Sequence, residues 1–92
     1  MTAVLKGKVV DKNHNPMMGA AVIITKSPAG VREIAVLTDQ KGDFILFDLL
    51  PGSYELTANT MEGAMGYLAL NIVEDDVRYV KIMTRLPAHD DR

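Results

Sequence analysis

Two histidines, six methionines and no cysteine make up the reactive inventory of this 92-residue chain. His14 lies in the turn-like stretch "KNHNPMMG" and His89 lies three residues from the end. General acid–base catalysis needs such groups fixed in a pocket with perturbed pKa values, and nothing in the sequence predicts one. Without cysteine, disulfides and thiolate metal sites are excluded. The acids of "DQKGD", Asp39 to Asp43, resemble part of a calcium loop. They lack the ligand spacing of an EF-hand and its closing glutamate, so the segment is read as a turn. Thioethers of Met17, Met18, Met61 and Met65 beside His14 have the softness to bind Cu(I). Methionine more commonly supplies an adaptable contact surface, and no metal or cofactor is expected.

The elements that would position these residues follow from bulk properties and periodicity. Ten basic against twelve acidic side chains give a net charge of −2, which lacks the basic excess of an electrostatic nucleic-acid binder. No apolar run approaches the roughly 20 residues needed to cross a bilayer, so no membrane insertion is expected. The length suits one domain, taken as residues 1–86, with a solvated tail at 87–92. The opening "MTAVLKGKVV" has no apolar signal region, because Lys6 and Lys8 interrupt it. A cytoplasmic protein and a module of a larger exported or surface protein both remain open.

A period of two runs from end to end. Leu5, Gly7 and Val9 share one face of the first strand and Lys6 and Lys8 the other. Ala20, Val22 and Ile24 share a face, as do Ile34, Val36 and Thr38. Phe44 and Leu46 point inward before the "DLLPG" corner, and Tyr54, Leu56 and Ala58 after it. The composition of "MEGAMGYLALNIVE" leans towards helix, but Gly63 and Gly66 oppose one. In "VRYVKIMTR", Val80 and Ile82 lie on one side, opposite Val77, Tyr79 and Lys81. Seven short strands with turn signals between them predict an all-β sandwich. If consecutive strands are antiparallel, connections 12–19, 39–42 and 60–65 meet at one end. Met17, Met18, Met61 and Met65 then gather at one pole beside His14, a candidate protein-contact patch.

The stretches "GKVVDKNHNPMMGAAVIIT", "TDQKGDFILFDLLPGSYEL" and Gly66–Tyr67 closely resemble the carboxypeptidase regulatory-like domain. Its pattern is Gly-x-Val-x-Asp, Pro-x-x-Gly-Ala, Thr-Asp-x-x-Gly-x-Phe, Leu-x-Pro-Gly-x-Tyr-x-Leu and a late Gly-Tyr, and the likeness spans residues 4–86. The resemblance implies a transthyretin-like, seven-stranded antiparallel Greek-key β-sandwich. It also implies a non-catalytic accessory module of an exported or surface-associated bacterial system, acting as a rigid spacer, adaptor or protein-contact domain. In physical terms Gly42 suits a turn with positive φ, and Thr38 can turn inward to bond the turn backbone. Phe44, Leu46, Leu49, Tyr54 and Leu56 would fill the space between sheets, and Pro51–Gly52 would stop pairing at the corner.

Other members of the wider fold raise alternatives. Hydroxyisourate hydrolases end in Tyr-Arg-Gly-Ser, whereas this chain ends "TRLPAHDDR". Collagen-adhesin repeats form a Lys–Asn isopeptide bond assisted by a glutamate, at the position where Ala58 stands here. Carbohydrate binding on sandwiches uses exposed aromatic platforms, yet the chain has no Trp and two of its three tyrosines fall at core or strand-end positions. A carbohydrate- or peptide-binding accessory domain is therefore the second reading, and a small hydrolase the third. Protein partners are expected, through the methionine pole or by pairing of an edge strand with another copy.

Overall fold

The computed structural model describes residues 2–29 and 35–87, and alternation builds nearly all of what it contains. The strands are β1 (Ala3–Val10), β2 (Ala21–Lys26), β3 (Ala35–Leu37), β4 (Asp43–Leu49), β5 (Gly52–Asn59), β6 (Met65–Ile72) and β7 (Val77–Met83). A first sheet has the order β4-β1-β7 and a second the order β3-β2-β5-β6. The β1–β2, β3–β4, β4–β5 and β6–β7 connections all cross between sheets, which makes the seven-stranded all-β sandwich expected from the pattern. Every strand pair is antiparallel except β1 with β7, which is parallel. Those two strands are the farthest apart in sequence, so no local turn signal could announce their pairing.

The two inner faces meet in one apolar core. Leu5, Val9, Phe44, Leu46 and Leu49 enter it from the first sheet, and Val22, Ile24, Tyr54, Leu56 and Ala58 from the second. Leu49 is out of step with Phe44 and Leu46, and a bulge accounts for it. Ala3 pairs with Leu49 and Leu5 with Leu46, so Phe47 and Asp48 together oppose Val4. Asp48 takes φ 59°, and the extra residue inverts the alternation so that Leu49 returns to the core. Gly7 pairs with Phe44, and a Cβ on Gly7 would lie only 2.3 Å from Phe44 Cζ. The ring covers the glycine, which explains why the first strand needs Gly amid apolar neighbours.

The β4–β5 corner is fastened by Tyr54, whose hydroxyl donates to the Leu50 carbonyl at 2.6 Å. The phenol is thus satisfied although the residue is buried, the arrangement of a tyrosine corner. Burial pushes the Tyr54 hydroxyl above its ordinary pKa. Pairing stops over a shorter stretch than expected. Gly52 is already the first residue of β5, opposite Ile72, because glycine, unlike proline, keeps its N–H for the ladder. Only Leu50 and Pro51 lie between the strands.

The helix-leaning stretch forms a loop and then β6. At Gly66 a Cβ would come within 2.5 Å of the Met83 carbonyl, so close packing decides this segment over intrinsic propensity. Val36 is half-buried and Thr38 buried, as the period predicts. Ile34 lies outside the described residues, as does the expected tail beyond Pro87.

Replacing Tyr54 by Phe should cost about 1 kcal/mol, the net worth of one hydrogen bond, and Tyr54→Ala about 3–5 kcal/mol. Gly7→Ala should destabilise by driving a methyl into the Phe44 ring, and Phe44→Leu should recover part of that loss in the double variant. Urea unfolding of the single and double variants measures both effects.

Candidate functional site: the methionine-bearing pole

At one pole β1, β5 and β7 end and β2, β4 and β6 begin, which brings the three anticipated loops together with residues 84–87. The loops are built alike. Asp11, Asp39 and Thr60 each accept on their backbone carbonyl the N–H three residues on, from His14, Gly42 and Gly63 at 3.0 Å. Each also donates its N–H to the carbonyl four residues on, of Asn15, Asp43 and Ala64. The third loop residue is left-handed every time, with φ 66° at His14, 77° at Gly42 and 93° at Gly63. This is a type I turn closed by a left-handed residue.

The first residue's side chain completes each loop. Asp11 Oδ1 accepts from the N–H groups of Asn13 and Asn15 at 2.8 and 2.9 Å. Asp39 Oδ1 does the same with Lys41 and Asp43, again at 2.8 and 2.9 Å. Thr60 Oγ1 accepts from Ala64 at 2.9 Å. "DQKGD" is therefore a turn, its leading carboxylate spent on backbone donors. Those donors hold Asp11 and Asp39 below the usual carboxylate range: chiefly the Asn15 amide for Asp11, and the Asp43 and Lys41 amides for Asp39.

Three buried threonines, Thr38, Thr60 and Thr84, pin the pole. Thr38 Oγ1 donates to the Met17 carbonyl at 2.5 Å and accepts from the Ala20 amide at 2.8 Å. Its hydroxyl thus serves the first connection rather than its own turn. Thr84 bonds the Val10 carbonyl twice, through N–H at 2.8 Å and Oγ1 at 3.0 Å. Met65 and Arg85 exchange both backbone bonds at 2.9 Å, so the segment after β7 also ties the second sheet to the first.

On this frame the four methionines take different positions. Met17 is half-buried and packs against the core. Met18 is 57% exposed, Met61 81% and Met65 54%. Met61 reaches over Gly19, its sulfur 3.6 Å from where a glycine Cβ would stand. Met65 opens β6, and His14 sits at the tip of the first loop. Between the first and third loops and the segment after β7 lies a cleft of about 520 Å³, lined by Lys12, Met17, Glu62, Ala64, Thr84 and Leu86.

Among the described residues the interior holds no reactive set. Thr38, Thr60 and Thr84 are the only buried polar residues among those described, and each hydroxyl is engaged by backbone. Among the described residues no group of three His, Asp or Glu stands close enough to hold a metal ion. Lys8 lies on the outer face of β1, its ammonium 3.1 Å from Asp43 and donating to the Lys41 carbonyl at 2.6 Å. Lys6 is exposed and Ala58 buried. Among the described residues no lysine or asparagine is buried where an isopeptide crosslink would form.

One surface escaped the sequence reading. On the outer face of the first sheet, Ile45, Phe47, Val77 and Tyr79 stand 42%, 59%, 71% and 64% exposed around Lys6. Its signal was present: the outward positions of β4 and β7 carry apolar residues as the inward ones do. Tyr67 is also exposed, on the outer face of the second sheet. Tyr54 alone of the tyrosines is in the core, and the two exposed rings are on opposite sides, unable to share a platform.

Two facing sheets with crossing connections, a tyrosine-fastened corner and backbone-sealed loops define a prealbumin-like sandwich domain. The chain belongs to the carboxypeptidase regulatory-like domain family, whose model matches residues 4–82. In sequence, no curated protein matches it. Among solved structures it is similar to BcpA, the major pilin subunit of Bacillus cereus, with TM-score 0.69 at 18% identity. That match covers 95% of this chain and 31% of the pilin. A DUF3823 family protein from Parabacteroides merdae gives TM-score 0.65 at 17% identity, over 89% of this chain and 45% of that one. The Bacillus anthracis TIE protein gives 0.70 at 13%, over 92% and 16%. The chain thus spans less than half the length of each, and the likeness is one of fold. Membership of a family of regulatory-like domains fits a non-catalytic accessory β-sandwich.

Because the folded state holds Asp11 and Asp39 below their ordinary value of 3.8, their contribution is present above that pH and lost as pH falls through the depressed values. Asp11→Asn with Asp39→Asn should flatten the acid limb of stability, as followed by thermal unfolding between neutral and acid pH. His14→Val should destabilise by about 1–2 kcal/mol, since a β-branched residue resists a left-handed backbone, whereas His14→Gly should not.

Proposed function

We propose that this domain is a non-enzymatic interaction and spacer module that holds a protein partner at its methionine-bearing pole. The observation carrying this reading is that Met18 and Met61, on loops locked by buried threonines and repeated turns, and Met65, at the start of β6, are exposed. Methionine adapts to varied surfaces, and a rigid frame spares the ordering cost that flexible loops pay on binding. Met17 supports the same pole from beneath. Family membership, and similarity to domains that form a fraction of longer chains, support a role as one unit of a larger assembly. In such a setting the sandwich sets a fixed distance between its neighbours. A bacterial surface or exported assembly is the corresponding location.

A second docking surface is favoured by one observation, the exposed Ile45, Phe47, Val77 and Tyr79 around Lys6. Aromatic side chains on a flat sheet are frequent anchors in interfaces. The two readings separate by mutation. A photo-crosslinking residue at position 61 identifies the bound partner, whose affinity is then measured by calorimetry. Met18→Glu with Met61→Glu should weaken that affinity at least about tenfold, or 1.4 kcal/mol, while Phe47→Ser with Tyr79→Ser leaves it unchanged. The opposite pattern moves the contact to the first sheet's outer face. Turnover of hydroxyisourate by the purified domain would overturn the non-enzymatic reading.

A further inference from the structure

A sandwich of two open sheets has four edge strands, here β4 and β7 in the first sheet and β3 and β6 in the second. Unpaired edges template the addition of other strands, and proteins blunt them with shortness, bulges or charge. Among the described residues, β4 and β7 are blunted. β4 carries the Phe47–Asp48 bulge and begins with Asp43. β7 presents Arg78 and Lys81.

β6 has none of these defences. Its 8 residues, MGYLALNI, include no charge and no proline, and its register with β5 runs unbroken from Ile72 to Met65. Its outward backbone groups follow from the ladder. Met65 turns its N–H and C=O away from β5, to Arg85, so by the period of two Tyr67, Ala69 and Asn71 turn theirs the same way. The Asn71 carbonyl receives the Arg78 guanidinium at 2.7 Å. A slot of open backbone therefore lies between two stops, the Arg85 segment at one end and Arg78 at the other. Tyr67 and Ala69 offer both groups there, and half-buried Leu68 and Leu70 line its inner side.

We propose that a second copy of this chain fills the slot, β6 pairing antiparallel with β6 about a two-fold axis at Ala69. Ala69 then faces its own mate and Tyr67 faces Asn71 of the other copy, all outward-directed residues and hence all hydrogen-bonded pairs. No like charges meet anywhere along the strand, which a two-fold axis would otherwise force on any charged central residue. Pairing would end where Met65 meets its own Arg85, opposite Val73 of the mate, and β6 has already ended at Ile72. The Asn71 carbonyl keeps a second lone pair for the incoming amide. Leu68 and Leu70 of one copy come beside Leu70 and Leu68 of the other, and the two second sheets become one of eight strands.

The test uses the whole chain. Sedimentation over a concentration series should give twice the 10.1 kDa chain mass as concentration rises, with the amides of Tyr67 and Ala69 gaining protection from hydrogen exchange in step. Ala69→Pro removes an N–H that bonds nothing in the single chain, a position where edge strands tolerate proline. Ala69→Lys sets two charges against each other at the axis. Both variants should stay at the single-chain mass with unchanged circular dichroism and lose the exchange protection. Met18→Glu with Met61→Glu should leave the dimer intact, which separates this contact from the pole. The proposal is overturned by a wild-type chain monomeric throughout the series, by a dimer that survives both Ala69 variants, or by protection at Tyr67 and Ala69 that arises only with a different partner.

Discussion

The structure depends on β1 being flanked on both sides by distant parts of its own chain. β4 pairs antiparallel with one edge of β1 and β7 parallel with the other, so every ladder bond the strand can make is committed. Neither pairing is local. The loops between must deliver β4 and β7 in register, and the burial of Leu5 and Val9 follows only when they do. Gly7 is part of the same requirement, since the Phe44 ring brought by β4 occupies the space above it. Thr84 closes the arrangement by bonding Val10 twice at the end of the parallel pair.

Much of this was legible in the residues. Alternation located the strands and the inward set, and Phe44, Leu46, Leu49, Tyr54 and Leu56 are all in the core. Leu49 is instructive, because strict alternation from Leu46 would have turned it outward. The corner motif placed it correctly and the bulge at Phe47–Asp48 supplies the reason. The parallel sense of β1 with β7 was not legible, for it lies in long-range pairing that no turn residue encodes. The shared architecture of the three loops was only partly visible. Asp39 and Gly42 suggest it by type, whereas His14 in a left-handed conformation and Thr60 in the place of an aspartate disguise it.

The gathering of Met17, Met18, Met61 and Met65 near one pole followed from strand direction alone, and their unequal exposure did not. Met17 is drawn inward because its backbone is held to Val9 and Thr38. The apolar outer face of the first sheet went unread for a different reason. A strand apolar on both sides still alternates in its burial, but composition no longer reveals which face is solvent. Ile45 and Phe47 share β4 with Phe44 and Leu46, and only the packing distinguishes them.

The parallel pairing of β1 with β7 also sets how the sandwich would respond to a pull. β1 begins at the pole opposite the methionines and β7 ends at the methionine-bearing pole, so the sandwich is entered at one end and left at the other. A pull along that axis draws the two strands past each other lengthwise. Seven register pairs, from Val4 with Val77 to Val10 with Met83, resist it together, in shear rather than by opening one bond at a time. The same ladder that sets the fold is the one such a pull would load.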